Sequence, residues 1–135
     1  MAELPKPKKV SKKALIEKAD RLFSEVVRRH FATDSGYCCC VTCGVMKQWK
    51  EMDAGHFVAR DFEAVRFDKR NVHPQCRQCN RFRSGMGAQY ARHILQHYGQ
   101  EVFEELTTTK REAKLNVGEV LEVIENCKEK LKELT

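Results

Sequence analysis

Cys40-Val41-Thr42-Cys43 and Cys76-Arg77-Gln78-Cys79-Asn80 bracket residues 44–75, and the reading of that stretch decides the fold. Two C-x-x-C pairs suit a tetrahedral Zn²⁺ held by four thiolates, a closed shell that staples structure and leaves no position for substrate. Seven cysteines are an odd number for a disulfide framework, which also favours metal. Cys38 and Cys39 adjoin the first pair, so its register needs a reason. Only Cys40 and Cys43 have the knuckle spacing followed by a glycine, Gly44, whose freedom permits the tight turn that aims backbone N–H groups at sulfur. Cys127 falls on the apolar face of a late helix and reads as a core thiol.

Polar residues inside the bracket suggest work beyond stapling. Asp53-Ala54-Gly55-His56 and Asn71-Val72-His73 lie between the knuckles. A lone histidine is more often structural, but His56 sits on a candidate strand edge, where it suits a general base acting on water. The Asn71 amide oxygen is expected to hold the second ring nitrogen and fix the tautomer. Asn80, placed by Cys79, can offer an amide oxygen to a divalent cation, as phosphodiester hydrolysis requires. His73 reads as structural. His93 and His97 have helical i,i+4 spacing, but no Glu stands beside His93 as in a zinc-protease helix, so a solvated or DNA-facing surface is expected. Trp49 reads as packing.

Charge points the same way. The net charge is +6, with nine Lys/Arg against four Asp/Glu in residues 1–30 and seven against three in residues 60–83. Residues 100–135 reverse the balance, six against nine. Basic charge thus gathers around the cysteine stretch, where Arg60, Arg66, Arg70, Arg77, Arg81 and Arg83 are candidate phosphate contacts. A plain solvated surface explains the charge alone equally well. No apolar run reaches the roughly 18 residues of a membrane span, and the N-terminus lacks the apolar core of a secretory signal, so a soluble, cytoplasmic protein without a membrane partner is expected.

Around the bracket the chain reads as helices. Residues 1–10 form a flexible basic tail and residues 11–36 an amphipathic helix capped by Ser11, with Leu15, Ala19, Leu22, Phe23, Val26 and Val27 on its apolar face. Residues 37–106 form the core, with short strands over 48–52 and 56–58 pairing as a hairpin. A helix over 88–98 turns Tyr90, Ile94, Leu95 and Tyr98 inward and stops at Gly99. Residues 107–135 are a helical segment. Thr109/Glu112 and Asn116/Glu119 are candidate capping boxes, the second opening a long helix with Val117, Val120, Leu121, Ile124, Cys127, Leu131 and Leu134 on its apolar face.

These residues carry a resemblance. The order Cys-x-x-Cys, His56, Asn71, Cys-x-x-Cys-Asn resembles the HNH (His-Me finger) endonucleases. Asp53-Ala54-Gly55-His56-Phe57, Arg66-Phe67-Asp68, Asn71-Val72-His73-Pro74-Gln75-Cys76, Cys79-Asn80 and Tyr98-Gly99 are similar to the NinG/Rap recombination proteins of lambdoid phages, over roughly residues 37–106. The resemblance implies an α+β fold: a small zinc-stapled ββα-metal, HNH-like core flanked by N-terminal and C-terminal helices. It implies a structure-selective endonuclease on branched DNA such as Holliday junctions and D-loops, with structural Zn²⁺ and catalytic Mg²⁺ or Mn²⁺. It implies catalytic roles for His56 and Asn71, and a metal-ligand role for Asn80. Where the family commonly has Asp or His just before the base, this chain has Gly55. Asp53 is the nearest substitute. Alternate strand residues face opposite ways, so a turn at Ala54-Gly55 is expected to bring Asp53 round to His56. A homodimer through the terminal helix, and contacts to host or phage recombination proteins, are further expectations. The competing reading is a non-catalytic zinc module that binds DNA or a recombinase.

Overall fold

The apolar stripe of the first helix finds its partner at the other end of the chain. In the computed structural model, which describes Leu4 and residues 9–135, α1 spans Lys12–His30 and α4 spans Val117–Glu133. The expected basic tail, residues 1–10, lies outside the described residues apart from Leu4, Lys9 and Val10. Ser11 caps α1, its hydroxyl accepting from the Ala14 N–H at 3.1 Å. Asn116 and Glu119 close a reciprocal capping box on α4, at 2.7 and 3.0 Å. Ala19 packs with Val120 and Ile124, and Phe23, Val26 and Val27 pack with Cys127 and Val72. Burial pushes the Cys127 thiol up to about 11, as a core position requires. The Arg29 guanidinium ties the two ends, donating to the Leu134 carbonyl at 2.8 Å.

The strands differ from expectation in partner and boundary. β1 (Tyr37–Cys39) pairs antiparallel with β2 (Met46–Gln48), a hairpin whose turn is the first knuckle. A short helical turn, Trp49–Glu51, follows. β3 (Met52–His56) then pairs antiparallel with β4 (Val72–Cys76), Met52 opposite Cys76 and His56 opposite Val72. The hairpin expected between 48–52 and 56–58 does not form. His56 closes its strand, and its partner strand begins 16 residues on in the sequence, at Val72. β4 is buried along its whole length, from Val72 to Cys76, and a strand buried on both faces is displayed less by alternation than by neighbours.

After β4 the chain winds into a π-helical turn, Gln78–Phe82, then reverses through Ser84, Gly85 and Met86. α2 (Gly87–Tyr98) buries Tyr90 and Ile94, while Leu95 faces outward at 38% exposure. α3 spans Gln100–Thr107. No helix opens at Thr109, whose hydroxyl donates back to the Glu105 carbonyl instead. On α4, Val117 and Leu121 lie outside the core, each 45% exposed. The result is an α+β arrangement of two small sheets between helices. Among the described residues no helix is long and apolar enough to cross a membrane.

Candidate functional site

The four knuckle thiols converge. The Sγ atoms of Cys40, Cys43, Cys76 and Cys79 all lie within 4.8 Å of one another. Cys43 and Cys76 sulfurs are 3.8 Å apart, close to the edge of a tetrahedron with Zn–S bonds of about 2.3 Å. Backbone amides point at the sulfurs: Cys76 N–H to Cys40 Sγ at 3.3 Å and Cys79 N–H to Cys76 Sγ at 3.5 Å. Burial opposes ionising Cys40, but the Thr42 hydroxyl and backbone amides of Cys43, Cys76 and Thr42 outweigh it and bring the thiol down to about 6. Burial and the neighbouring sulfurs push Cys43 up to about 12. Four thiols this close cannot all ionise unaided, and a soft divalent cation removes the conflict. The donor set therefore fits Zn²⁺. Cys38 is buried beside this group but outside it, and burial raises its thiol.

Beside the cysteine cluster lies a cleft of about 620 Å³, lined by α1, β3 and the turn after β4. Asp53, His56, Asn80, Arg60, Arg77 and Arg81 all reach it. The expected turn at Ala54-Gly55 is absent, since β3 runs unbroken from Met52 to His56. Asp53 and His56 nonetheless both line the cleft. Gly55 answers to space. A Cβ there would stand 2.2 Å from Gln75 Oε1 and 2.8 Å from Gln75 Cβ. Gln75 is fully buried, and its amide N–H donates to Thr42 Oγ1 at 3.1 Å and to the Gly85 carbonyl at 2.8 Å. It braces the first knuckle to the turn after the second, and it occupies the room a carboxylate before His56 would need.

His56 is held by a different partner from the one expected. Its Nε2 is 2.9 Å from the Arg66 carbonyl. A carbonyl only accepts, so Nε2 carries the proton and Nδ1 keeps its lone pair. Burial lowers the pKa of His56, the Arg66 carbonyl partly opposing it, so the ring is neutral at pH 7. Asn71 does not touch the imidazole. Fully buried, it accepts from the Val58 N–H at 2.7 Å and donates to the Val58 and Val65 carbonyls at 3.0 Å each. It closes the loop between β3 and β4, and so positions His56 through the backbone.

Asp53 and Asn80 meet directly, with Asn80 Nδ2 donating to Asp53 Oδ2 at 3.0 Å. Arg81 clasps the same carboxylate at 2.9 and 2.8 Å. Turning the Asn80 amide over would present its oxygen beside the carboxylate. Asp53 is largely covered and already paired with Arg81, so a hard cation such as Mg²⁺, which takes one or two carboxylates, would have to displace that guanidinium.

The six arginines divide. Arg60, Arg77 and Arg81 line the cleft, and Arg83 follows on an exposed turn. Arg66 is engaged by Asp20 at 2.9 and 2.5 Å, and it donates to the Arg60 carbonyl at 3.1 Å. Arg70 is engaged by Asp68 and Glu105, at 2.8 and 2.7 Å. Both, expected as phosphate contacts, act as clamps within the protein and lie outside the cleft lining. Conversely, Asp20, Ser24, Arg28 and Lys50 line the cleft unforeseen. Asp20, Ser24 and Arg28 recur at four-residue steps on α1, a polar stripe that was the available signal. Arg28 Nε bonds Ser24 Oγ at 3.1 Å and its Nη1 bonds the Trp49 carbonyl at 3.3 Å. Trp49 packs against the cysteine cluster, with Arg28, Arg29 and Lys50 over its ring. His73 hydrogen-bonds the Tyr90 and Tyr98 hydroxyls at 3.0 and 2.8 Å, the structural role expected.

A family model described as Bacteriophage Lambda NinG protein matches residues 4–135. The chain is 33% identical over 98 residues to "Protein ninG" of Escherichia phage 933W, an overlap of 70% of this chain and 47% of that protein. It is 31% identical to "Protein ninG" of Escherichia phage lambda and 30% identical to that of Salmonella phage P22, each over 98 residues with the same coverage. The chain spans about half the length of the curated relatives it matches. No solved structure matches it.

Proposed function

The chain belongs to the NinG family of bacteriophage proteins, and from that premise we propose that it is a divalent-metal-dependent endonuclease acting on branched DNA. One observation carries the reading: a single cleft collects His56, the hydrogen-bonded Asp53 and Asn80, and the cations Arg28, Lys50, Arg60 and Arg77. The order β3, β4, helical turn also suits the ββα-metal core that the HNH resemblance implies. Branched recombination intermediates, Holliday junctions and D-loops, are the substrates drawn from the resemblance.

Each residue then has a task. The basic side chains seat the phosphodiester by charge. His56 Nδ1 takes a proton from the attacking water, and the Arg66 carbonyl, accepting from Nε2–H, steadies the cationic ring that forms. Asn71 keeps the loop that carries Arg66 in register with β3. Asp53 and Asn80 would hold the Mg²⁺ or Mn²⁺, which supplies positive charge against the phosphate and the departing oxygen. The cysteine cluster, with Zn²⁺, fixes Asn80 through Cys79.

The test compares nicking of a four-way junction by the wild type and His56→Ala with Mg²⁺, alongside junction binding. The reading expects equal binding and a loss of at least about 100-fold in cutting. If both bind and neither cuts, the enzyme reading fails and a non-catalytic DNA-binding module takes its place. The Arg81–Asp53 ion pair favours that second reading, since it already neutralises the carboxylate. Because burial lowers the His56 pKa, cutting should hold at pH 7 and fall with falling pH as the imidazole protonates, later than an exposed histidine would.

A further inference from the structure

Phe82 is 82% exposed, the most exposed aromatic among the described residues, and it joins none of the four apolar clusters. Its backbone, by contrast, is pinned on both sides. Arg83 N–H donates to the Gln78 carbonyl at 2.9 Å and Gly85 N–H to the Cys79 carbonyl at 2.8 Å. The Gly85 carbonyl accepts from the buried Gln75 amide. Ser84, Gly85 and Met86 all take positive φ, at 52°, 78° and 55°. Two such departures by residues other than glycine, Ser84 and Met86, within three positions are uncommon, and such strain gathers where function demands it. A π-helical turn, Gln78–Phe82, is a second feature with that tendency. Met86 packs back onto the cysteine cluster. A rigid turn therefore holds a bare aromatic ring in water.

We propose that Phe82 is a stacking wedge that reads the branch point of DNA by covering an exposed base face. The inference rests on the DNA-cleaving reading of the adjoining cleft. One residue, Arg81, separates Phe82 from Asn80, two Cα steps or at most about 7.6 Å of chain, so the ring stands next to the place of phosphate attack. Arg83 flanks it and Arg77 lies on the same turn, while Arg81 is held by Asp53, a setting that draws phosphates rather than an apolar protein surface. In continuous duplex each base face is covered by its neighbour. At a branch the terminal pair of an arm exposes its face, and an aromatic side chain stacks there regardless of sequence. Phe82 thus supplies what the cleft lacks, a feature that separates branched from linear DNA.

The experiment measures binding of the full, zinc-loaded chain to a four-way junction and to a linear duplex of equal length, without added Mg²⁺. 2-Aminopurine placed at the branch reports stacking. Wild type, Phe82→Ala and Phe82→Trp are compared. Phe82→Ala should lose about tenfold on the junction and under about twofold on the duplex. Phe82→Trp should keep the preference, and the branch fluorescence should respond to wild type and Phe82→Trp but not to Phe82→Ala. Equal loss on both DNAs, or no loss, overturns the proposal. So does a change in self-association by sedimentation with junction preference intact, which would make the ring a protein contact. A wild type that cuts nothing, yet loses its junction preference in Phe82→Ala, leaves the wedge standing and removes only the nuclease.

Discussion

Gly55→Ala tests how the site is built, because its cost follows from three distances. Gly55 lies in an unbroken strand with no positive φ, so space alone decides. The added methyl would stand 2.2 Å from Gln75 Oε1, 3.0 Å from its Cδ and 2.8 Å from its Cβ. Oε1 has no hydrogen-bond partner and can swing, but the same amide holds Thr42 and the Gly85 carbonyl through Nε2. Moving it releases two hydrogen bonds, about 0.5–1.5 kcal/mol each. The Cβ contact yields only if β3 and β4 separate, an overpacking cost of about 1–3 kcal/mol. Alanine gains back up to about 1 kcal/mol over glycine in a strand. The net loss is about 1–6 kcal/mol, read by urea unfolding of the zinc-loaded protein. Gln75→Ala in the same chain removes the Oε1 and Cδ clashes, so the double variant should be less destabilised than the sum by about 1 kcal/mol or more. A Gly55→Ala protein within about 0.5 kcal/mol of wild type, or strict additivity, would refute the account of why no carboxylate precedes His56.

Other tests address the frame and its pH limits. Metal analysis should find one zinc per chain, and chelation should abolish the cooperative unfolding transition, since a Cys₄ site of this kind contributes its binding energy to folding; a chelated protein that unfolds as before would sink the assignment. His73 offers a second measurement. Burial, then His93 and His97, lower its pKa from 6.5 to about 4. The folded protein thus resists a proton that the unfolded chain accepts, so the stability is complete above pH 6.5 and is lost as pH falls toward 4. The difference of 2.5 units amounts to about 3 kcal/mol. Wild type should lose that much more than His73→Asn across the interval with zinc in excess, and parallel curves would exclude His73 as the cause.

The helices were legible because each carries its own periodicity and caps. Ser11 and the Asn116/Glu119 box sit where they were expected, and α1 and α4 cover each other through Ala19, Val120 and Ile124. The strands were not, for a physical reason. β3 and β4 are five residues each, and β4 is buried throughout, so alternation carried little information. Thr109 had the residues of a cap but no apolar run to support a helix behind it.

At the site, residue type was legible and partnership was not. The cysteine register followed from spacing and Gly44, both local. Which acceptor holds His56, and which arginines stay free, depends on residues distant in sequence: Asp20 engages Arg66 across 46 positions, and Glu105 engages Arg70 across 35. A cation count along the chain cannot separate a clamp from a phosphate contact. The separation follows from where α1 lies. It brings Asp20 against Arg66 and Arg28 into the cleft, so one helix engages one cation and places another in the lining. The N-terminal helix therefore lines the cleft as β3 does, through Asp20, Ser24 and Arg28, and the side chains that face His56 come from segments about 30 residues apart.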